Sequence, residues 1–299
     1  MSEKPKIVVI LGPTASGKTA LSIKVAQKIG GEVISADSRQ VYKGLDLGTG
    51  KVTKKEMGSV PHHLLDVASP KRKFSVARYQ KLANKKITEI IKRGRTPIIV
   101  GGSGFYIQAI VDNLILPDVP PNPKLRLELQ GKTIHELFSI LKKIDPQRAK
   151  NIDENNPVRL IRAIEIGKAF SQVPKLQFAN PPFNFIQIGL KPDSKDLEKK
   201  IKDRLLARMR LGLVAEVKKL HRQGLSWRRM EELGLEYRYL ALLEQKKTSR
   251  EQMIKELEKE IVRYAKRQIT WFKRDKRISW FNPTDKKLLE KVLKLINEN

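Results

Sequence analysis

The chain has 299 residues, 40% of them hydrophobic and none cysteine, with 61 Lys plus Arg against 32 Asp plus Glu, a net charge of +29 and a pI near 10.2. It is long enough to bury a full core as one large domain with a smaller one. Disulfides, thiol catalysis and thiolate zinc sites are excluded, and no run approaches the ~18 apolar residues that a membrane span requires. Charge is +16 over residues 1–190 and +13 over the remaining 109, so the excess is denser toward the C-terminus yet pervasive. Such an excess suits a polyanion, nucleic acid before an anionic membrane. A lysine-rich surface serving solubility or heat tolerance would carry the same signature.

Met1-Ser2-Glu3-Lys4 leads directly into the apolar run Lys6–Leu11, which reads as a strand, with no signal peptide; a cytoplasmic protein is expected. Gly12-Pro13-Thr14-Ala15-Ser16-Gly17-Lys18-Thr19 follows, then a helical period over Lys18–Ile29. Glycines at this spacing let successive amides converge on an anion at a helix N-terminus. Lys18 can reach the outer phosphates, and the Thr19 hydroxyl can take a phosphate-bound Mg2+. The bland alternative is a glycine turn between strand and helix.

A strand at Glu32–Ala36 ends on Asp37, and a third apolar piece, His63–Val67, precedes a helix from Ser75 to Gly94. Strand Thr96–Val100 runs into Gly101-Gly102-Ser103-Gly104. This alternation predicts an α/β fold of the P-loop type: a parallel sheet with helices on both faces and ligands at the strands' carboxyl ends. The proline-rich stretch Leu116–Pro123 reads as a hinge. Beyond it, Thr133 with Glu136 forms a capping box, and Asn156-Pro157 opens a helix to about Phe170.

Pro174–Pro182 breaks the pattern again before a strand near Phe185–Leu190. Ser194 is expected to cap a helix burying Leu197, Ile201, Leu205 and Met209, stopped by Gly212. Ser249 and Gln252 cap a long helix to about Arg274 with Ile254, Leu257, Ile261, Ala265 and Gln268 on one stripe. A strand at Ile278–Phe281 and a helix at Asp285–Asn297 complete the chain. The expected organisation is a first part of the core at 1–113, a helical insertion at 114–184, and core completion with a basic helical region at 185–299.

Asp37, at the edge where the phosphate loop opens, could bind Mg2+, act as a general base, or merely cap the next turn. Gly101-Gly102-Ser103 meets the same edge, where a glycine turn with a serine cap is equally natural. His62-His63 has no second cluster at metal-ligand spacing, so a catalytic zinc is not expected. Trp271 and Phe272 read as core packing.

The string Asp37-Ser38-Arg39-Gln40-Val41-Tyr42-Lys43-Gly44-Leu45-Asp46-Leu47-Gly48-Thr49 resembles the tRNA dimethylallyltransferases, also called IPP transferases. So do Pro61-His62-His63-Leu64-Leu65-Asp66, the stretch Pro97–Tyr106, Arg159-Leu160-Ile161-Arg162-Ala163 and Lys266–Trp271. The resemblance implies transfer of a dimethylallyl group from dimethylallyl diphosphate to the N6 amine of the adenine 3′-adjacent to the anticodon in tRNA. It implies Asp37 as the base, Ser103 as a hydroxyl near the reacting centre (many members carry Thr), and Arg204 as a diphosphate ligand. Asp37, Ser38, Arg39, Gln40, Ser103, Arg126, Val158, Arg159, Leu160, Ile161 and Arg162 match positions that contact tRNA. Around Glu232–Arg238 only Tyr237-Arg238 keeps the family pattern. The expected partners are an anticodon stem-loop and dimethylallyl diphosphate, with no membrane and a monomeric chain. The alternatives are a prenyltransferase acting on free adenine nucleotides and a P-loop small-molecule kinase.

Overall fold

The computed structural model describes residues 4–298. The chain divides into two compact units, one running to Asp112 and resuming at Asn180, the other Asn113–Ala179. The proline-rich stretch expected as a hinge thus lies a few residues inside the second unit. That unit closes on an antiparallel pair, Leu114 with Phe178 and Ile115 with Gln177. The chain's exit to residue 184 therefore belongs with the core.

In chain order the first unit opens with β1 (Lys6–Leu11), α1 (Lys18–Ile29), β2 (Gly31–Ser35), α2 (Lys54–Met57), β3 (His62–His63), α3 (Val76–Lys92), β4 (Thr96–Gly101) and α4 (Gly104–Val111). The inserted unit holds β5 (Leu114–Ile115), α5 (Pro123–Gln130), α6 (Ile134–Ile144), α7 (Pro146–Lys150), α8 (Pro157–Phe170) and β6 (Gln177–Phe178). The first unit resumes with β7 (Asn184–Leu190), α9 (Ser194–Arg210), α10 (Leu213–Arg222), α11 (Trp227–Leu233), α12 (Leu235–Glu244), α13 (Arg250–Phe272), β8 (Ser279–Phe281) and α14 (Leu288–Glu298).

The six-stranded sheet has the order β3-β2-β4-β1-β7-β8, every pairing parallel. Strands buried on both faces need continuous apolar runs, which is how β1 reads. Ile7, Val9 and Leu11 join one core with α3, α4, α9, α10, α12 and α13, whereas Val8 and Ile10 join another with α1 and α14. The period-2 alternation of side chains produces that division. β1 is central, so the loop after it opens between the ends of β4 and β7, where a doubly wound sheet binds ligands.

Two expected details shift. Asp193, one residue before Ser194, is the N-cap of α9. On α13 Met253 is buried and Ile254 only half-buried, since the stripe follows the helical turn by one residue. In the inserted unit, Leu125, Leu129, Leu137, Leu141, Leu160 and Ile164 form a separate small core. Among the described residues no helix is long and apolar enough to cross a membrane.

Candidate active site

The loop Gly12–Thr19 curls at the carboxyl end of β1. Gly12 has φ +145°, and a Cβ there would lie 2.6 Å from the Leu190 carbonyl oxygen, so only glycine lets the loop start against β7. Gly17 precedes α1 in the left-handed region and offers no side-chain cap, leaving the first-turn amides for an anion. The Ser16 hydroxyl is buried with no hydrogen-bond partner among the described residues, a donor a phosphate oxygen would satisfy.

Lys18 donates from Nζ to the Pro13 carbonyl. Burial pulls its ammonium down from 10.5 to about 7; Asp37 opposes the shift and Arg204 adds to it. A bound dianion would favour the charged form and push it back up. Arg204, on α9, is itself lowered to about 10 by burial and by neighbouring Arg208, against which Glu236 and Glu56 pull. It stays charged at neutral pH.

These groups line one cavity of about 920 Å³, entirely within the first unit, whose walls include Thr14, Ser16, Lys18, Thr19, Arg204 and Asp37. Asp37 meets its expectation as a turn cap with one oxygen and leaves the other unengaged. Its Oδ1 accepts from the Arg39 and Gln40 amides at 2.8 and 3.3 Å, the cap of a turn, while its Oδ2 takes no hydrogen bond among the described residues. Ser38, Arg39 and Gln40 also line the cavity. Ser103 does not: the wall reaches Gly101 and Gly102, and the Ser103 hydroxyl accepts from the Ser38 amide at 2.9 Å. It ties the end of β4 to the end of β2 beside Asp37, rather than facing the cavity.

Several wall residues are not assigned to the site from the sequence. Gln268 sits on the apolar stripe of α13 yet is only 7% exposed. Its Nε2 donates to the Gly102 carbonyl at 2.8 Å and its Oε1 accepts from the Thr14 amide at 2.9 Å, joining the phosphate loop to the β4 turn. A glutamine on a buried face was the available clue, because a buried amide needs partners. Residues 234–239, where the family pattern weakens, line the cavity as well. Glu236 pairs with Arg208 at 3.4 Å, and burial raises its carboxyl. His62 lines the wall too, with Nδ1 on the Val60 carbonyl; burial lowers its pKa, and Nε2 has no partner among the described residues.

Among the described residues no group of three or more His, Cys, Asp or Glu could hold a metal. A Mg2+ ion held through phosphates needs only one or two protein oxygens, with water and phosphate completing its shell. Thr19 is exposed on the wall, and its hydroxyl makes no hydrogen bond among the described residues, so it is free to meet such an ion.

In the inserted unit Arg126 and Arg162 serve Glu165, whose side chain is 1% exposed. Arg126 forks onto it at 2.7 and 2.6 Å, and Arg162 reaches it at 3.2 Å and the Val119 carbonyl at 2.9 Å. Burial alone would raise the Glu165 carboxyl; the Arg126 fork, the Asn122 amide and Arg162 hold it below the usual range. A depressed folded value stabilises above the unfolded pKa and is lost as pH falls through the folded one. Glu165→Ala should therefore cost about 3 kcal/mol, as expected for breaking a buried pair. Urea denaturation at pH 7 measures this, and the gap from wild type should narrow toward pH 3.

Leu160 needs correction as a tRNA contact: it is fully buried in the small core and has no surface to offer. Ile161 is half-buried against the same core. Val158 is 75% exposed, and Arg159, its side chain 59% exposed, pairs among the described residues only with Asp153, at 3.5 Å.

A parallel sheet whose central strand ends in a loop of P-loop sequence, with a carboxylate on the same cavity, defines an α/β fold of the P-loop class. A family model described as IPP transferase matches residues 40–275, and the chain belongs to that family. The tRNA dimethylallyltransferase of Anoxybacillus flavithermus is 42% identical over 291 residues, covering 96% of this chain and 93% of the relative. The tRNA dimethylallyltransferase 2 of Treponema denticola is 43% identical, covering 92% and 93%. The crystal structure of a full-length tRNA isopentenylpyrophosphate transferase from Bacillus halodurans superposes with a TM-score of 0.74 at 38% identity, over 99% of this chain and 95% of that one. A eukaryotic dimethylallyltransferase acting on tRNA gives 0.77 at 25% identity, over 94% and 74%.

Proposed function

We propose that this protein transfers the dimethylallyl group of dimethylallyl diphosphate to the N6 amine of the adenine 3′-adjacent to the anticodon in tRNA, releasing diphosphate. The observation that carries this reading is the pairing, on one cavity, of the phosphate loop with the unengaged Oδ2 of Asp37. The loop amides, Lys18 and Arg204 would hold the diphosphate and absorb charge as the allylic C–O bond breaks. The adenine nitrogen forms the new C–N bond, and its proton passes to Asp37. Thr19 would hold Mg2+, which when bound supplies further charge neutralisation on the diphosphate.

The net charge of +29 suits an RNA substrate, which the protein would meet in the cytoplasm as a monomer. The test supplies dimethylallyl diphosphate with tRNA, AMP or ATP and asks by nucleoside mass spectrometry which acquires the prenyl group. Modified AMP in place of tRNA would favour the free-nucleotide enzyme. Phosphate transfer from ATP to a small molecule would favour the kinase.

Extruding the target base costs a few kcal/mol of unstacking, which phosphate contacts along the RNA must offset. Affinity for an anticodon stem-loop should accordingly fall steeply from low to moderate salt. Arg159→Ala should weaken it several-fold and reduce the salt slope by about 1, leaving diphosphate binding unchanged. Arg162→Ala should also weaken tRNA use, but with a lower melting temperature, because Glu165 loses a partner. A salt-independent affinity would remove the electrostatic account.

A further inference from the structure

Glu216 lies in the first turn of α10, and the segment it holds is about 170 residues away in sequence. Its Oε2 accepts from the Asp46 and Leu47 amides at 3.1 and 2.7 Å. Its Oε1 accepts from the Gly48 amide at 3.1 Å and from the Tyr237 hydroxyl at 2.7 Å. Three successive amides converging on a carboxylate make an anion nest, here filled by the chain's own side chain. Gly48 is pressed against α12 so closely that a Cβ would meet the Tyr237 ring at 2.5 Å.

The residues leaving this nest become cavity wall: Gly48, Thr49 and Gly50. The Thr49 and Gly50 carbonyls accept from Gln40 Nε2 at 3.5 and 3.3 Å, and Gln40 Oε1 accepts from the Ser35 hydroxyl at 3.1 Å. The Gln40 backbone N–H, for its part, donates to Asp37 Oδ1 at 3.3 Å. Hydrogen bonds and the covalent links between them thus connect Glu216, through the Asp46–Gly50 segment and both the side chain and backbone of Gln40, to the Asp37 carboxylate on the cavity wall. Glu216 itself does not line the cavity.

We infer that Glu216 is a positioning residue for the transfer reaction: by clamping residues 46–48 it sets Gln40, and through Gln40 the orientation of Asp37. The inference rests on the prenyl-transfer reading above. A misplacement near 1 Å at a reacting group can cost about 100-fold in rate, so a clamp acting at one remove should matter by less.

The test is a double-mutant cycle on kcat for tRNA prenylation, run well below each variant's melting temperature. Glu216→Ala and Gln40→Ala should each lower kcat, by about 10- to 30-fold for Glu216→Ala, with the Kd for inorganic diphosphate within about threefold of wild type. Because both act on one path, the double variant should be about as slow as the slower single. Singles whose losses multiply would overturn the inference. So would a Glu216→Ala enzyme with normal kcat and only a lower melting temperature, the result of a purely structural clamp. Should Glu216→Ala fail to fold, Tyr237→Phe removes one donor from the same carboxylate and enters the same cycle, with about a threefold loss expected; normal kcat there would overturn the inference equally. Wild-type protein that leaves tRNA unprenylated would overturn the transfer reading itself, an outcome distinct from failure of the cycle.

Discussion

Asp37→Ala is expected to lower the turnover of tRNA prenylation by about 100-fold or more, the usual range for a lost general base, while diphosphate binding stays nearly intact. The structure makes Asp37→Asn the more telling variant. Asp37 Oδ1 caps the turn through the Arg39 and Gln40 amides, and an asparagine oxygen can keep both bonds. The carboxylate's ability to take the adenine proton at Oδ2 disappears with the same change. Asp37→Asn should therefore melt near wild type and still be slow, whereas Asp37→Ala should be slow and less stable by about 1 kcal/mol from the lost cap. Single-turnover kinetics beside thermal melts check both. Normal turnover in the Ala variant would leave Asp37 as a cap and nothing more.

Lys18 should show opposite effects on catalysis and stability. Lys18→Ala removes the main local cation from the leaving group and should lower kcat/KM at limiting dimethylallyl diphosphate by between about 10- and 100-fold, the worth of a charge-assisted hydrogen bond. The free protein, however, carries a cost for burying this ammonium, since its pKa falls from 10.5 to about 7. Between those values the unfolded chain holds more protons than the folded one, so stability rises with pH across that window. Below about pH 7 both states are charged and the whole penalty applies. Lys18→Met, which keeps the stem without the charge, should thus melt higher than wild type at pH 7 while being catalytically poor. Calorimetric titration with diphosphate should show proton uptake near pH 8 in the wild type that is reduced in Lys18→Arg, whose guanidinium stays charged. Wild-type kcat/KM in Lys18→Ala would remove the phosphate-loop assignment, and a lower melting temperature in Lys18→Met would remove the burial argument.

Local signals in the chain carried a good deal of this protein. The phosphate loop was legible because its chemistry lies within eight consecutive residues, Gly12–Thr19. α1 and α8 span the expected Lys18–Ile29 and Pro157–Phe170, because caps and the helical period act over three or four residues. The apolar run of β1 announced a strand buried on both faces, and the strand–helix rhythm a parallel sheet. Tertiary structure alone decided which polar groups meet. Gln268 bonds Thr14 across 254 positions, Glu216 gathers amides from about 170 positions away, and Glu165 takes Arg126 and Arg162 out of the set of free cations. It likewise turned the Ser103 hydroxyl toward the Ser38 amide and buried Leu160. No periodicity or spacing encodes such pairs: each depends on two segments brought together by sheet order and helix packing, and the partner of a buried polar atom is defined only once that packing exists.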